Sequence, residues 1–250
     1  MKKVLILYFS AAGSTMRVAR VMAQKLQEHC DVHMLEVDNC QMTNLDGYDA
    51  LIVGTPVFHG APARAVTRFF DQIAPRKNVL PAFIFSTHGL TSLNTNRILA
   101  RQLAQKNIIT IHDASYLSPA SDGVLIAPFI KQFRYFEKGI RQKINLDVAR
   151  FVTKLGKGDY TLKLPRFTHL GILNAPNAAI GKRLRPTIHI IDELCNQCGL
   201  CGKICPHNKC EIDPSCEYCF KCVHNCSQGA MTLFEHRPAK VLLGYNGKKD

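Results

Sequence analysis

The 250-residue sequence has no tryptophan, and aromatic residues make up only 8% of it. Any stacking surface must therefore come from phenylalanine, tyrosine or histidine. No apolar run approaches the roughly 18 residues of a membrane-spanning helix, so no such span is expected. Acidic residues are also scarce, with 19 Asp and Glu against 32 Lys and Arg and a formal net charge of +13. The excess is local: residues 131–186 hold thirteen Lys or Arg and three Asp or Glu. A solvated basic face is one reading, and a docking surface for an acidic partner is the other. No basic stretch is interleaved with aromatics for base stacking, which argues against nucleic acid.

The start, Met1-Lys2-Lys3 and then Val4 to Phe9, mimics a short signal peptide. Its apolar segment is shorter than the roughly 7–15 residues such a region uses. A first β-strand explains it better.

Cysteine is abundant and patterned. Cys195, Cys198, Cys201 and Cys205 have the spacing C-x2-C-x2-C-x3-C, followed by Pro206. Cys216, Cys219, Cys222 and Cys226 repeat it 21 residues later, followed by Ser227. A thiol every third residue cannot point all its sulfurs one way from a regular helix. It can wrap a loop around a cuboidal iron–sulfur cluster whose fourth ligand comes from the other run. Structural zinc, the alternative, favours C-x2-C pairs and four ligands, and two triplets with outlying fourth cysteines fit it poorly. Cys30, Cys40 and Cys210 remain. An odd remainder argues against a disulfide framework, and the cluster spacing argues for a reducing, cytoplasmic setting. Cys210 is read as a free thiol, with a rescue ligand as the alternative.

The two runs resemble the bacterial two-cluster ferredoxins. That resemblance implies one [4Fe–4S] cluster on Cys195, Cys198, Cys201 and Cys226, and a second on Cys216, Cys219, Cys222 and Cys205. It also implies a redox protein as partner. Ser227 departs from the proline found after the first run, which removes no ligand.

Upstream, apolar strands and amphipathic helices alternate. Strands are expected at Lys2–Phe9, Val32–Val37, Asp49–Thr55, Val79–Ser86 and Ile108–Leu117. Helices are marked by Val18, Val21, Met22 and Leu26, by Val66, Phe69, Phe70 and Ile73 with Pro62 near the first turn, and by Ile98, Leu99 and Leu103. A last helix carries Ile140, Ile144, Val148, Phe151, Val152 and Leu155. Between strand five and that helix, Phe129, Ile130 and Phe133 suggest an extra helix or lid. The pattern predicts an α/β fold, a five-stranded doubly wound parallel sheet with helices on both faces. It is followed by a small α+β domain. The expected divisions are 1–155, a basic linker at 156–186 with Pro165, Pro176 and Pro186, and 187–250, with an edge strand at Ile188–Ile191.

Ligands of open α/β sheets bind beyond the carboxyl ends of the strands, where three loops fall. Ser10-Ala11-Ala12-Gly13-Ser14-Thr15 offers hydroxyls and backbone N–H groups at a helix N-terminus, a phosphate site without lysine or arginine. It matches neither G-x-x-x-x-G-K-[ST] nor G-x-G-x-x-G, which disfavours nucleoside triphosphates and dinucleotides. Thr55-Pro56-Val57-Phe58-His59-Gly60 and Thr87-His88-Gly89 are the other two. These loops resemble those of flavodoxins, whose phosphate loop reads S/T-x-T-G-x-T, with Ala12 here replacing one hydroxyl. The resemblance implies flavin mononucleotide (FMN), with Gly60 near the ring, Phe58 or His59 stacked on it, and His88 where a tyrosine is common.

The two halves together resemble flavodoxin–ferredoxin fusion proteins. The function expected is electron transfer between two [4Fe–4S] clusters and FMN. The alternative is an FMN-dependent reductase of a small acceptor, with His59 and His88 as candidate proton donors.

Overall fold

Strand one shows why the chain folds into three layers. Val4, Ile6 and Tyr8 point to one face and Leu5, Leu7 and Phe9 to the other, and all six are buried. A strand apolar on both faces needs helices above and below it. The computed structural model describes residues 1–39, 45–127, 129–158, 160–169, 187–206 and 216–233. In it β1 (Lys2–Tyr8) leads to α1 (Ser14–Leu26), β2 (Cys30–Glu36) and β3 (Ala50–Phe58). A two-residue β4 (Ala61–Pro62) precedes α2 (Arg64–Gln72), β5 (Leu80–His88), α3 (Thr95–Ala104) and β6 (Ile108–Leu117). A short α4 (Gly123–Ile126) and the long α5 (Ile140–Lys157) complete this part.

The sheet order is β2-β1-β3-β5-β6, and those strands are parallel. This is the flavodoxin-like order of doubly wound sheets. The chain leaves β1 for β2 on one side and later returns to β3 on the other. The loops after β1 and β3 therefore part at their carboxyl ends and open a crevice. The five main strands coincide with those expected from sequence to within a few residues.

Each face of the sheet has its own core. Leu5, Leu7, Phe9, Val53, Ile84, Val66, Phe70, Leu99 and Leu103 pack on the side of α2 and α3. Val4, Ile6, Ile52, Phe83, Phe85, Val18, Met22, Ile144, Val148 and Phe151 pack under α1 and α5. Gly54 in β3 lies against the Phe85 ring so closely that an added Cβ would overlap it.

Two helix details differ from expectation. Pro62 is not in the first turn of α2 but in β4, paired with Val57, and the helix starts at Arg64. Ile98 is 43% exposed while Leu99 and Leu103 are buried, so α3 turns a narrower stripe inward than its apolar residues suggest. The segment after β6 is not a continuous lid. It holds α4 and one 3-10 turn (Lys131–Phe133), with Phe129 81% exposed and Phe133 packed inward.

A polar network ties α5 to β6. Tyr116 Oη donates to Asp147 Oδ2 at 2.9 Å, and His112 Nε2 lies 3.2 Å from Asp147 Oδ1. Burial pushes the Asp147 carboxyl up, but these hydrogen bonds outweigh it and hold the group below its ordinary range. A carboxyl held down stabilises the fold above its unfolded-state pKa of about 4, and the contribution is lost as pH falls through the lower folded value. Tyr116→Phe should cost about 1–3 kcal/mol near neutral pH. In chemical denaturation at several pH values, the deficit should shrink as pH falls below about 4.

α5 takes the first two residues of the expected linker, Gly156 and Lys157; the rest of its described part has no helix or strand, yet it is anchored. Asn94 and Thr168 exchange two hydrogen bonds, Asn94 Nδ2 to Thr168 O at 3.0 Å and Thr168 N to Asn94 Oδ1 at 2.8 Å. Arg97 donates to Pro165 O at 2.8 Å and stands over the Phe167 ring. Lys182, Arg183 and Arg185 lie outside the described residues, as do Cys40 and Cys210. Beyond the linker, β7 (His189–Ile190) pairs antiparallel with β8 (Met231–Thr232). Between them lie α6 (Leu200–Lys203) and α7 (Lys221–Asn225). No helix among the described residues is long and apolar enough to cross a membrane.

Candidate functional site: a crevice at the sheet edge and two cysteine loops

The crevice consists of two adjoining cavities. The narrower, of about 50 Å3, is lined by Ser10, Ala11, Ala12, Ser14 and Thr15 from the loop after β1, with Pro56, Val57, Phe58, Thr87, His88 and Gly89. The wider, of about 310 Å3, is lined by Val57, His59, Gly60, His88, Gly89 and Phe133 among others. Val57, His88, Gly89, Ala120 and Asp122 border both. The three loops singled out from sequence thus meet in one place, although two of their residues stand apart from both linings. Gly13 forms the N-cap of α1 with φ 94°. Thr55 is fully buried and committed to structure: its Oγ1 accepts from Ala63 N at 2.9 Å and donates to Pro56 O at 3.0 Å.

Sequence reasoning missed a fourth loop. Ser118, Pro119, Ala120, Ser121 and Asp122 line the narrow cavity. They follow β6, so the carboxyl-edge rule would have found them had it been extended to strand five. This loop is fastened to the others. Ser14 Oγ donates to Pro119 O at 3.0 Å, and Ser118 N donates to His88 O at 2.9 Å. Thr15 Oγ1 and Thr87 Oγ1 lie 2.8 Å apart, linking the first and third loops inside the protein.

α1 begins without a side-chain cap from Gly13, and its first turn contains no acidic residue. One first-turn amide, Met16 N, donates to Ser10 Oγ at 3.2 Å; the other N-terminal amides and the dipole stand beside the narrow cavity that Ser14 and Thr15 line. At the wide end, His59 (φ 51°) and Gly60 (φ 76°) form the two-residue turn joining β3 to β4. Positive φ at both turn positions is the type I′ geometry. His59 tolerates it less well than a glycine would. The Phe58 ring meets Phe9 edge-on at 6.3 Å, so it serves the core as well as the cavity. Burial pushes His88 below its ordinary pKa, and its Nδ1 is buried without a partner among the described groups.

The cysteine runs repeat in backbone as well as in spacing. Gln197 (φ 55°) and Gly199 (φ 68°) are left-handed in the first run; Tyr218 (φ 55°) and Phe220 (φ 57°) occupy the same places in the second. α6 and α7 begin at equivalent positions, Leu200 and Lys221. Left-handed residues alternating with other conformations turn successive N–H groups toward one side, a nest suited to anionic groups such as sulfur clusters. Three of these four residues carry a Cβ, and that conformation costs each of them of order 1 kcal/mol or more. A repeated strain of this kind marks a constraint that the surroundings impose.

The thiols gather as well. Burial pushes Cys222 up to about 12, and Cys205, Cys216 and Cys201 add to the rise from nearby. Burial likewise raises Cys219, with Cys222 and Cys216 beside it. Cys205 therefore lies in the neighbourhood of the second run. None of the nine described cysteines forms a disulfide. Among the described residues no three His, Cys, Asp or Glu side chains converge as a single metal ion requires. Thiolates on a cuboidal cluster stand around a body and need not converge on a point.

The two runs differ sharply in surroundings. Residues 196–200 are all exposed, whereas Glu217, Phe220, Lys221, Val223 and His224 are buried against the α/β part. Glu217 Oε1 accepts from Arg64 N at 2.7 Å, capping the otherwise uncapped start of α2. Burial pushes the Glu217 carboxyl up to about 7. Lys221 Nζ lies 2.8 Å from Glu36 Oε1 and 2.7 Å from Asp38 Oδ2, and 5.0 Å above the Phe9 ring. Arg68 donates to Pro206 O at 2.9 Å. Val124 and Leu125 of α4 share a core with Phe220, Val223, Met231 and Leu233.

A 2-1-3-4-5 parallel sheet with a crevice at its switch point defines an α/β protein of the doubly wound class. The chain matches the family model described as "Flavodoxin domain" over residues 5–149 and belongs to that family. Among solved structures, it is similar to a flavodoxin from the domain Archaea, with 14% identity and a TM-score of 0.45, covering 62% of this chain and 99% of that one. Flavodoxin 1 from Bacillus cereus gives 16% and 0.46, with 61% and 98% covered. Rubredoxin oxygen:oxidoreductase from Desulfovibrio gigas gives 20% and 0.44, with 62% and 37% covered. No curated protein matches the chain.

Proposed function

We propose that this chain is an electron-transfer protein that joins FMN to two [4Fe–4S] clusters. The observation that carries the reading is the position of the second cysteine run, buried against the loops of the flavodoxin crevice. The cofactors supply the electron chemistry, one electron at a time at the clusters and one or two at the flavin. The residues described here do the rest.

The crevice fits FMN. The start of α1, which has no acidic residue in its first turn, and the loop amides at residues 11–15 would hold the phosphate, with no cation needed. The wide cavity would take the ring, bordered by Val57, His59, Gly60 and Gly89. The unpartnered Nδ1 of His88 is available to a polar edge of the ring. Cys216, Cys219, Cys222 and Cys205 would hold a cluster close to the crevice. Cys195, Cys198, Cys201 and Cys226 would hold one facing solvent, where Cys198 is exposed. The buried thiols must lose their protons to bind iron, so cluster assembly releases protons and contributes to folding. A solvent-facing cluster is the natural port for an external redox protein, and the basic face at 131–169 suits an acidic one. Cytoplasmic placement follows from the thiol chemistry.

The reductase alternative is less well served. A general acid should titrate near the working pH, and burial pushes His88 below its ordinary value. The distinguishing test is anaerobic mixing of the loaded protein, with reduced ferredoxin as a continuing electron supply, with quinones, nitro compounds or a redox protein. The carrier reading expects rapid electron transfer to a protein acceptor and no sustained small-molecule turnover. Sustained turnover would overturn it.

A further inference from the structure

α7 reaches the crevice at three points. Asn225 Nδ2 donates to Ala11 O at 3.2 Å, in the loop after β1. His224 Nε2 donates to Ser121 O at 2.8 Å, in the loop after β6. Lys221 Nζ holds Glu36 Oε1 at 2.8 Å, and the same oxygen accepts from Ser10 N at 3.4 Å. Cys222 lies within α7 and Cys226 immediately follows it. On the crossed assignment those two cysteines serve different clusters.

We propose that α7 couples the two kinds of cofactor, so that filling the clusters tightens FMN binding and bound FMN tightens cluster binding. This rests on the two-cofactor reading above. A helix of five residues is too short to hold itself together, so its position depends on what anchors it. The clusters anchor it through Cys222 and at Cys226, and its side chains then brace the Ser10–Thr15 loop. Without the clusters the brace loosens, and the loop must be ordered at the expense of FMN binding energy. Linkage makes the effect mutual.

Asn225→Ala is the probe, since it removes the bond to Ala11 together with the one from the same amide to Lys221 O at 2.8 Å inside α7, and leaves every cysteine in place. FMN dissociation constants are measured by flavin fluorescence quenching on the full chain. Four states are compared, parent and variant, each with clusters reconstituted and after chelator has stripped them. Stripping the parent should weaken FMN binding about tenfold. Asn225→Ala with its full iron complement should lose about fivefold. In stripped protein the variant should lose little more than the parent does. Unchanged affinity on stripping overturns the coupling and leaves the two-cofactor reading intact. An equal loss from Asn225→Ala in loaded and stripped protein also overturns it, because Asn225 is then a local prop. A parent that takes up no FMN or no iron refutes the underlying reading, and the coupling with it.

Discussion

Cys226→Ala should leave about four irons per chain where the parent holds about eight. The cluster lost should be the one on Cys195, Cys198 and Cys201, not the one on Cys226's own neighbours. This follows from the crossed ligand sets that the resemblance to two-cluster ferredoxins implies; near Cys222 stand both Cys205 of its own set and Cys201 of the other. Double variants decide the matter. Cys226→Ala with Cys195→Ala should lose no more iron than Cys226→Ala alone, since both would remove ligands of one cluster. Cys226→Ala with Cys216→Ala should lose nearly all of it. Ligation within each run reverses those two outcomes. Iron counting and EPR of the reduced proteins read the difference directly.

The second large effect concerns Lys221→Met. The ammonium lies between Glu36 and Asp38 with its side chain only 9% exposed. Removing one partner of a buried ionic group costs about 3–5 kcal/mol, because the charges left behind lose their compensation. Glu36 is 21% exposed and Asp38 12%, so the loss should fall at the lower end. It should be nearly independent of salt, because buried pairs are little screened. Methionine keeps most of the apolar stem, so the change reports charge more than packing. Chemical denaturation of loaded protein should show the cysteine-rich part releasing before the α/β part. A single transition at the parent's midpoint would show that Lys221 does not hold the two parts together.

The sequence disclosed the sheet because its strands are apolar on both faces, as Val4–Phe9 and Ile52–Val53 illustrate. The two cysteine runs stood out by their spacing, and the ligand sets proposed for them come from the resemblance to two-cluster ferredoxins; the first three crevice loops were legible from hydroxyls and glycines beyond strand ends. The fourth loop has the same marks, since Ser118 and Ser121 supply hydroxyls beyond the end of β6, and the carboxyl-edge rule extends to it. Pro62 misled because proline suits both a first helical turn and a strand flank, and pairing with Val57 decided between them. The least legible feature was the seating of the second cysteine run. Lys221, Asn225 and Glu217 read as ordinary polar residues in a loop. Their partners, Glu36, Ala11 and Arg64, lie more than 150 residues away, and no local pattern announces a contact of that range.

The central claim is that one chain carries FMN and two clusters together. Its most direct test is anaerobic purification and reconstitution, followed by iron, sulfide and FMN analysis with EPR of the reduced protein. The expected result is about eight irons, eight sulfides and one FMN per chain, with signals from two interacting [4Fe–4S] clusters. Four irons or fewer after full reconstitution, or zinc in their place without a yellow chromophore, would contradict it.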